Sequence, residues 1–298
     1  MPEAQAEPEN TELYGAPPAQ SLDLSPQEFA RFAQLITQRL GIQMPAAKLT
    51  MLQGRLTRRI RQLNLSSFEQ YRQYLSRSPN AAQEYVHFVD AITTNKTDFF
   101  REPQHLAYLT AHALPALDRQ AGSKPAWTVK VWCAGCSSGE EAWTLAMTLS
   151  EYGKLRAGFD YSILATDISS RVLAQAESAT YSRESVAPVP PELRKRYLLS
   201  SRDPSLRAVR IVPDLRRRVT FERLNFMDPS YGVGRNFSTI FFRNVLIYFD
   251  KPTQETVLNK LCDNLQPGGY LFVGHSESLT GLRVPVVQQA LSVFRKPE

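Results

Sequence analysis

Three cysteines in 298 residues are too few for a disulfide framework, which points to a reducing compartment. No apolar run approaches the roughly 20 residues of a membrane helix, so membrane insertion is not expected. The first 24 residues contain no Lys or Arg and no apolar segment, so no secretory or transit signal is visible there. No internal repeat recurs, and no two of the four histidines stand at metal-ligand spacing. Hydrophobic residues make up 43% and charged residues 21%, ordinary values that exclude wholesale disorder.

The absence of bases at the start changes how the net charge of +6 is read. Five of the acids (Glu3, Glu7, Glu9, Glu12 and Asp23) lie in the first 24 residues, so the rest carries 35 bases against 24 acids. A part this basic favours an acidic partner, whether nucleic acid, an anionic surface or an acidic protein segment.

Met1–Leu24, rich in Pro, Glu, Gln and Ala, reads as a disordered leader. Residues 25–92 read as a small all-helical domain. Ser25-Pro26-Gln27-Glu28 is a capping box with Pro at the first helical position, followed by Phe29, Phe32, Ile36 and Leu40 at helical spacing and a Gly41 stop. Further helices are expected over about Lys48–Leu63, after a Ser66/Glu69 cap, and over about Asn80–Ile92. Residues 93–126 read as a linker.

From Trp127 to residue 298 strands and helices alternate. Strands are expected at Thr128–Cys133, Tyr161–Thr166, Val219–Leu224, Ser238–Arg243 and Tyr270–Gly274, with helices at Gly139–Glu151, Ser169–Glu177 and Thr253–Leu265. This is the rhythm of an α/β, doubly wound, mostly parallel sheet whose ligands sit at the carboxyl ends of its strands. Residues 181–218 look like a small β-subdomain insertion without helix caps, and Val284–Gln288 with Ser292–Lys296 like a closing antiparallel hairpin.

The stretch Val131–Glu141 runs from a buried strand through a turn with two glycines into a helix start. Glu140 and Glu141 would repel a pyrophosphate there, which favours a nucleoside without phosphate; a merely tight turn accounts for the glycines equally well. Asp167 ends the next strand, where it could accept hydrogen bonds from both ribose hydroxyls or cap the following helix. Turn and acid together favour the nucleoside. Cys133 and Cys136 form a Cys-x-x-Cys string, but Ala-Gly between them and the acids after them suit buried thiols rather than redox chemistry. Gly274-His275-Ser276-Glu277-Ser278 lacks the final glycine of a nucleophile elbow and reads as a strand-end cap. Arg243, Asn244 and Tyr248 are the polar tips of the apolar run Ile240–Phe249, and Arg101 is expected to be held rigidly at the domain junction by Phe99 and Phe100.

Taken in order, Thr94–Pro103, Cys133–Glu141, Ala165–Ile168, Leu224–Phe226, Phe241–Asp250 and Gly268–Ser278 resemble one family, the bacterial chemotaxis receptor methyltransferases called CheR. The resemblance spans about Leu24 to Lys296. It implies a Rossmann-like class I methyltransferase sheet behind a small helical domain, with S-adenosylmethionine as cofactor, S-adenosylhomocysteine as product and no metal. It further implies methyl esterification of glutamates on the cytoplasmic signalling helices of methyl-accepting receptors, for adaptation in sensory signalling. The enzyme would be a cytoplasmic monomer recruited to membrane receptor arrays, without nucleic acid or membrane insertion.

Matched residue by residue, Asn95, Thr97, Arg101, Glu140, Asp167, Asn225, Phe226, Arg243 and Asn244 fall on cofactor-contacting positions. Arg101 and Tyr248 fall on the pair beside the transferred methyl. Lys48, Arg55, Arg58 and Arg59 on the second helix would form a basic face that steers an acidic receptor helix. Ala142 and Trp143 depart from the family's Pro and Tyr, and Leu198–Leu215 lacks the glycine of loops that grip a receptor's C-terminal pentapeptide. A nucleic-acid methyltransferase would explain the charge, but its nearest motif, Asp228-Pro229-Ser230-Tyr231, follows the wrong strand. A cofactor-sensing adaptor would have no need of Arg101 and Tyr248.

Overall fold

Helix α1 (Pro26–Leu40) begins with the expected reciprocal cap: the Glu28 N–H donates to Ser25 Oγ at 3.2 Å and the Ser25 N–H to Glu28 Oε2 at 3.1 Å. It is the first element of a computed structural model that describes residues 22–122, 126–201, 203 and 207–298. Most of the expected leader, through residue 21, lies outside the described residues. Its last residue, Leu24, is buried, and the Leu24 N–H donates to Gln53 Oε1.

Helices α2 (Leu49–Gln62), α3 (Phe68–Arg77) and α4 (Ala81–Ile92) pack with α1 around Phe32, Leu52, Leu56, Tyr71 and Phe88. The cap of α3 sits one residue later than expected. Ser67 Oγ accepts from the Gln70 N–H, and Gln70 Oε1 takes the Ser66 N–H. Glu69 instead holds Arg72 and Arg31.

The linker is helical for much of its length, which periodicity did not predict. It carries α5 (Pro103–Tyr108), a widened turn over Leu109–Ala113 and α6 (Leu114–Ala121). The widening immediately precedes Pro115, which has no N–H to donate to the carbonyl four residues earlier.

The α/β part follows as β1 (Trp127–Ala134), α7 (Glu140–Leu155), β2 (Phe159–Asp167), α8 (Ser170–Ser178), β3 (Thr180–Ser182), α9 (Pro191–Tyr197), β4 (Leu198–Ser200), β5 (Ala208–Ile211), α10 (Pro213–Arg216), β6 (Val219–Arg223), β7 (Phe237–Phe242), α11 (Lys251–Asn264), β8 (Leu265–Val273), β9 (Val287–Ala290) and β10 (Val293–Arg295). The large sheet has the order β6-β2-β1-β7-β8-β10-β9, parallel from β6 through β8 and antiparallel in the terminal hairpin. This is the doubly wound, methyltransferase-type sheet with its closing hairpin. The hairpin's first arm lies about three residues later than the periodicity suggests. A separate antiparallel sheet, β3-β5-β4, occupies the insertion, which also contains the short helices α9 and α10 that the sequence did not signal.

Two apolar layers cover the sheet. One face packs against α7, the linker helices and the small sheet, and the other against α11. Strand order reverses between β1 and β7, which leaves a crevice at their carboxyl ends. The helical domain closes over this crevice. An added Cβ on Gly41 would lie 2.7 Å from Met227 Sδ, and the Gln43 N–H donates to the Tyr248 carbonyl at 2.8 Å. Among the described residues no helix is long and apolar enough to cross a membrane.

Candidate active site

The turn after β1 is built from backbone that only small residues permit. Gly135 (φ 84°) has no room for a side chain, since a Cβ would meet Val245 Cγ2 at 2.5 Å. The N–H groups of Gly135 and Cys136 both donate to the Thr166 carbonyl, at 2.7 and 2.9 Å. Thus the β1 turn is bolted to the end of β2. Both Cys133 and Cys136 are buried free thiols, and burial pushes each well above its ordinary pKa.

Asp167 completes this joint. Its Oδ2 accepts the Ser137 N–H at 2.9 Å and its Oδ1 the Ser169 N–H at 3.0 Å. The alternative role as cap of α8 belongs to Ser169, whose hydroxyl accepts the Val172 N–H. Burial raises the Asp167 pKa, while the backbone donors oppose that rise. Each carboxylate oxygen keeps a further lone pair, and the residue lines a cavity of about 450 Å³.

That cavity lies between the two domains, within the size range of small-molecule sites. Asn95, Thr97, Arg101, Asn225, Phe226, Arg243, Asn244 and Tyr248, placed there by the sequence reading, all line it with Asp167. Leu40, Ile42, Met44 and Met51 of the helical domain add an apolar wall. Their contribution was invisible in sequence because helical spacing assigns Leu40 to its own core, while Ile42 and Met44 lie in the loop after Gly41 and Met51 falls off the apolar face of α2.

Glu140 does not line the cavity. Its buried Oε2 accepts the Ser138 hydroxyl at 2.7 Å, and burial raises its pKa. The neighbouring Glu141 lines the cavity instead. Its Oε2 lies 3.8 Å from Arg243 Nη1, and its buried Oε1 has no hydrogen-bond partner. An adjacent pair of acids gives no clue which will face a crevice; the start of α7 decides, because consecutive helical residues point about 100° apart.

Arg243, a polar tip of the apolar run, is buried. Only 2% of its side chain is accessible; it pairs with Glu102 at 3.2 Å and donates to the Arg101 carbonyl at 2.7 Å. Burial pushes the Glu102 carboxyl up, but Arg243 and the His275 N–H together hold it below its usual value. The same carboxylate lies 3.3 Å from His105 Nδ1, and the His105 and His275 rings are 4.7 Å apart. Histidines that the sequence separates by 170 positions are therefore neighbours, in a cluster whose carboxylate Arg243 already holds.

Asn225 spends its side chain between domains, Nδ2 donating to the Arg39 carbonyl at 2.9 Å and Oδ1 accepting the Met227 N–H. Phe226 packs edge-on against Phe242. Asn95 meets the β1 turn through its carbonyl, which accepts from Ser137 Oγ at 2.8 Å. Arg101 donates to the Lys96 carbonyl, and the half-buried Tyr248 hydroxyl to the Thr94 carbonyl at 3.4 Å. Burial raises the Tyr248 pKa, opposed by Arg101 and Arg55. The Glu277 carboxylate caps the strand end, as expected of Gly274–Ser278, accepting the Gly274 N–H at 2.6 Å.

The basic face of α2 is largely spent inside the protein. Arg59 makes a two-pronged pair with the buried Glu84 (2.6 and 2.8 Å), which also accepts the Tyr71 hydroxyl. Arg55 closes the end of α4, donating to the carbonyls of Ile92 and Thr93 and to Thr94 Oγ1. Lys48 donates to the Gln43 carbonyl and lines the cavity, which leaves Arg58 exposed. Arg59→Ala is expected to cost about 3 kcal/mol of stability, because it strands a buried carboxylate. Arg58→Ala should stay within about 0.5 kcal/mol. Urea unfolding of the two variants checks this, and equal losses would contradict the role given to Arg59.

Comparison with known proteins agrees with this architecture. Residues 27–93 match the family model described as "CheR methyltransferase, all-alpha domain", and residues 95–291 match "CheR methyltransferase, SAM binding domain". The chain is 40% identical over 262 residues to a chemotaxis protein methyltransferase of Klebsiella aerogenes, covering 88% of this chain and 87% of that protein. Similar proteins of Salmonella typhimurium (38%, covering 88% of each) and Escherichia coli (37%, covering 88% and 87%) carry the same description. A nucleoside-sized crevice at the strand reversal, an acid at the end of β2 and similarity over both domains lead to one conclusion: the chain belongs to the CheR methyltransferase family and is an S-adenosylmethionine-dependent methyltransferase.

Proposed function

We propose that the enzyme methylates glutamate side chains on the signalling helices of chemotaxis-type receptors, forming glutamate methyl esters and S-adenosylhomocysteine. The observation that carries this reading is that Arg101 and Tyr248 line the same cavity as Asp167 and Glu141. Asp167 suits the ribose hydroxyls, and the unpartnered Glu141 Oε1 suits a cationic group of S-adenosylmethionine. The cofactor supplies a methyl on a positively charged sulfur.

Glutamate, with a pKa of about 4.3, is already ionised near neutral pH and needs no general base. One of its oxygens forms the new bond to the methyl carbon as the carbon–sulfur bond breaks, leaving a neutral thioether. The protein's task is alignment and exclusion of water. Arg101 and Tyr248 hold the carboxylate by charge-assisted hydrogen bonds, and the wall of Ile42, Met44 and Met51 excludes water beside the apolar side of an incoming helix. Lys48 and Arg58, with Arg55 anchoring the linker, give that approach its positive potential. The enzyme then acts at membrane receptor arrays as a soluble monomer.

The test is to incubate the full chain with methyl-labelled S-adenosylmethionine and, separately, receptor signalling fragments and RNA. Base-labile label on the receptor fragment is expected. Base-stable label, or label on RNA, would refute the reading. Asp167→Ala should weaken S-adenosylmethionine binding by about 1.5–3 kcal/mol, the range for hydrogen bonds to a charged group. Calorimetry with unchanged affinity and an intact fold would remove Asp167 from the site.

A further inference from the structure

The parallel strands β7 and β8 stay in register to Phe242 and Val273, then part. Beyond that point Asn244 turns into the left-handed region (φ 60°), and Leu246–Tyr248 forms a single tight turn. Its backbone donors have lost their strand partner. The buried Glu277 carboxylate replaces it: Oε2 accepts the Asn244 N–H at 2.9 Å and the Gly274 N–H at 2.6 Å, and Oε1 accepts the Ile247 N–H at 3.4 Å. One side chain thus ties the end of β8 to both ends of the segment that presents Tyr248.

The fit is close on the other side as well. A Cβ on Gly274 would lie 2.5 Å from Asn244 Nδ2 and 3.0 Å from Glu277 Oε2. Glu277 does not line this cavity; both of its carboxylate oxygens are turned toward the backbone of the 244–247 turn and the end of β8. Asn244 is only two residues from a paired strand, whereas Tyr248 is six residues away; its carbonyl is tied to the Gln43 N–H at 2.8 Å, and on the sheet side the carboxylate bridge at Ile247 is what joins its turn to β8.

We infer that Glu277 is a positioning residue for methyl transfer, holding the 244–248 turn so that the Tyr248 hydroxyl is fixed at the reacting carboxylate. This rests on the role given to Tyr248 above. Glu277→Gln keeps the shape but turns amide hydrogens toward backbone donors, so the turn is expected to loosen. Turnover should fall at least tenfold while the dissociation constant for S-adenosylmethionine stays within about threefold. In a Tyr248→Phe background the same change should cost less than threefold, because the hydroxyl it positions is gone.

The measurements are single-turnover rates at saturating substrates and calorimetric cofactor affinity for the wild type, both single variants and the double variant. Glu277→Asp keeps the buried charge but shortens its reach to the Ile247 N–H and should show the same pattern; it decides the matter should Glu277→Gln not fold. Undiminished turnover in the folded variants, equal cost in both backgrounds, or cofactor affinity lost in step with rate would each overturn the inference. A crippled Tyr248→Phe beside a fully active Glu277→Gln overturns the inference alone. Full turnover by Tyr248→Phe overturns the reading of Tyr248 and this inference with it.

Discussion

Arg243→Met is expected to lower the unfolding free energy by about 3–5 kcal/mol, the cost of breaking a buried ion pair from one side. Glu102 and Glu141 both face this guanidinium, at 3.2 and 3.8 Å, and both are largely buried. Methionine fills much of the space but leaves two carboxylates without their cation. It also removes the hydrogen bond to the Arg101 carbonyl, so the backbone of Arg101 loses its tie to the end of β7.

The deficit should depend on pH in a definite direction. Without Arg243 the folded-state pKa values of the two acids rise above their unfolded values, so the folded variant binds extra protons. Its stability relative to the wild type therefore improves as pH falls from 8 toward 5 and worsens as it rises. Urea unfolding across that range measures both quantities. A loss below about 1 kcal/mol at neutral pH, or a deficit that grows on acidification, would contradict the buried-pair account. Arg243→Lys keeps the charge but not the fork and should fall between the two.

Tyr248→Phe is expected to lower turnover by about a hundredfold, or about 2.7 kcal/mol of barrier, with cofactor affinity within about twofold. The hydroxyl's single internal contact is a long one, 3.4 Å to the Thr94 carbonyl, so the fold loses little by its removal. Under the proposed mechanism, what is lost is a donor for the attacking carboxylate. An interaction that matters only as the carboxylate aligns with the methyl appears in kcat and not in cofactor binding. Single-turnover rates at saturating receptor fragment test this, and a full rate would exclude the hydroxyl from the reaction. Arg101→Ala should behave differently. It removes charge as well as a donor, so it should raise KM for the receptor in addition to lowering kcat.

The sequence alone determined whatever depends on near neighbours along the chain. The Ser25–Glu28 box and the Gly41 stop set α1 because their partners lie within four residues. The order of the large sheet's parallel strands and of α7, α8 and α11 emerged from periodicity, and the two-glycine turn with Asp167 located the crevice, since that arrangement follows from strand ends alone. Six motifs in fixed order were enough to indicate the family and its cofactor.

Tertiary structure decided which polar groups are free to act. Arg59 looks like part of a solvent-facing stripe until Glu84, 25 residues away, turns it inward. Arg243 reads only as a polar tip of an apolar run, and its pairing with Glu102, 141 residues away, cannot be read from that run. Glu140 and Glu141 are indistinguishable in sequence, and the rotation of α7 gives one to Ser138 and the other to the cavity. A charged side chain reaches several ångströms in any direction, so its partner is chosen by the packing of distant segments; a cap or an apolar stripe is chosen by the backbone it sits on.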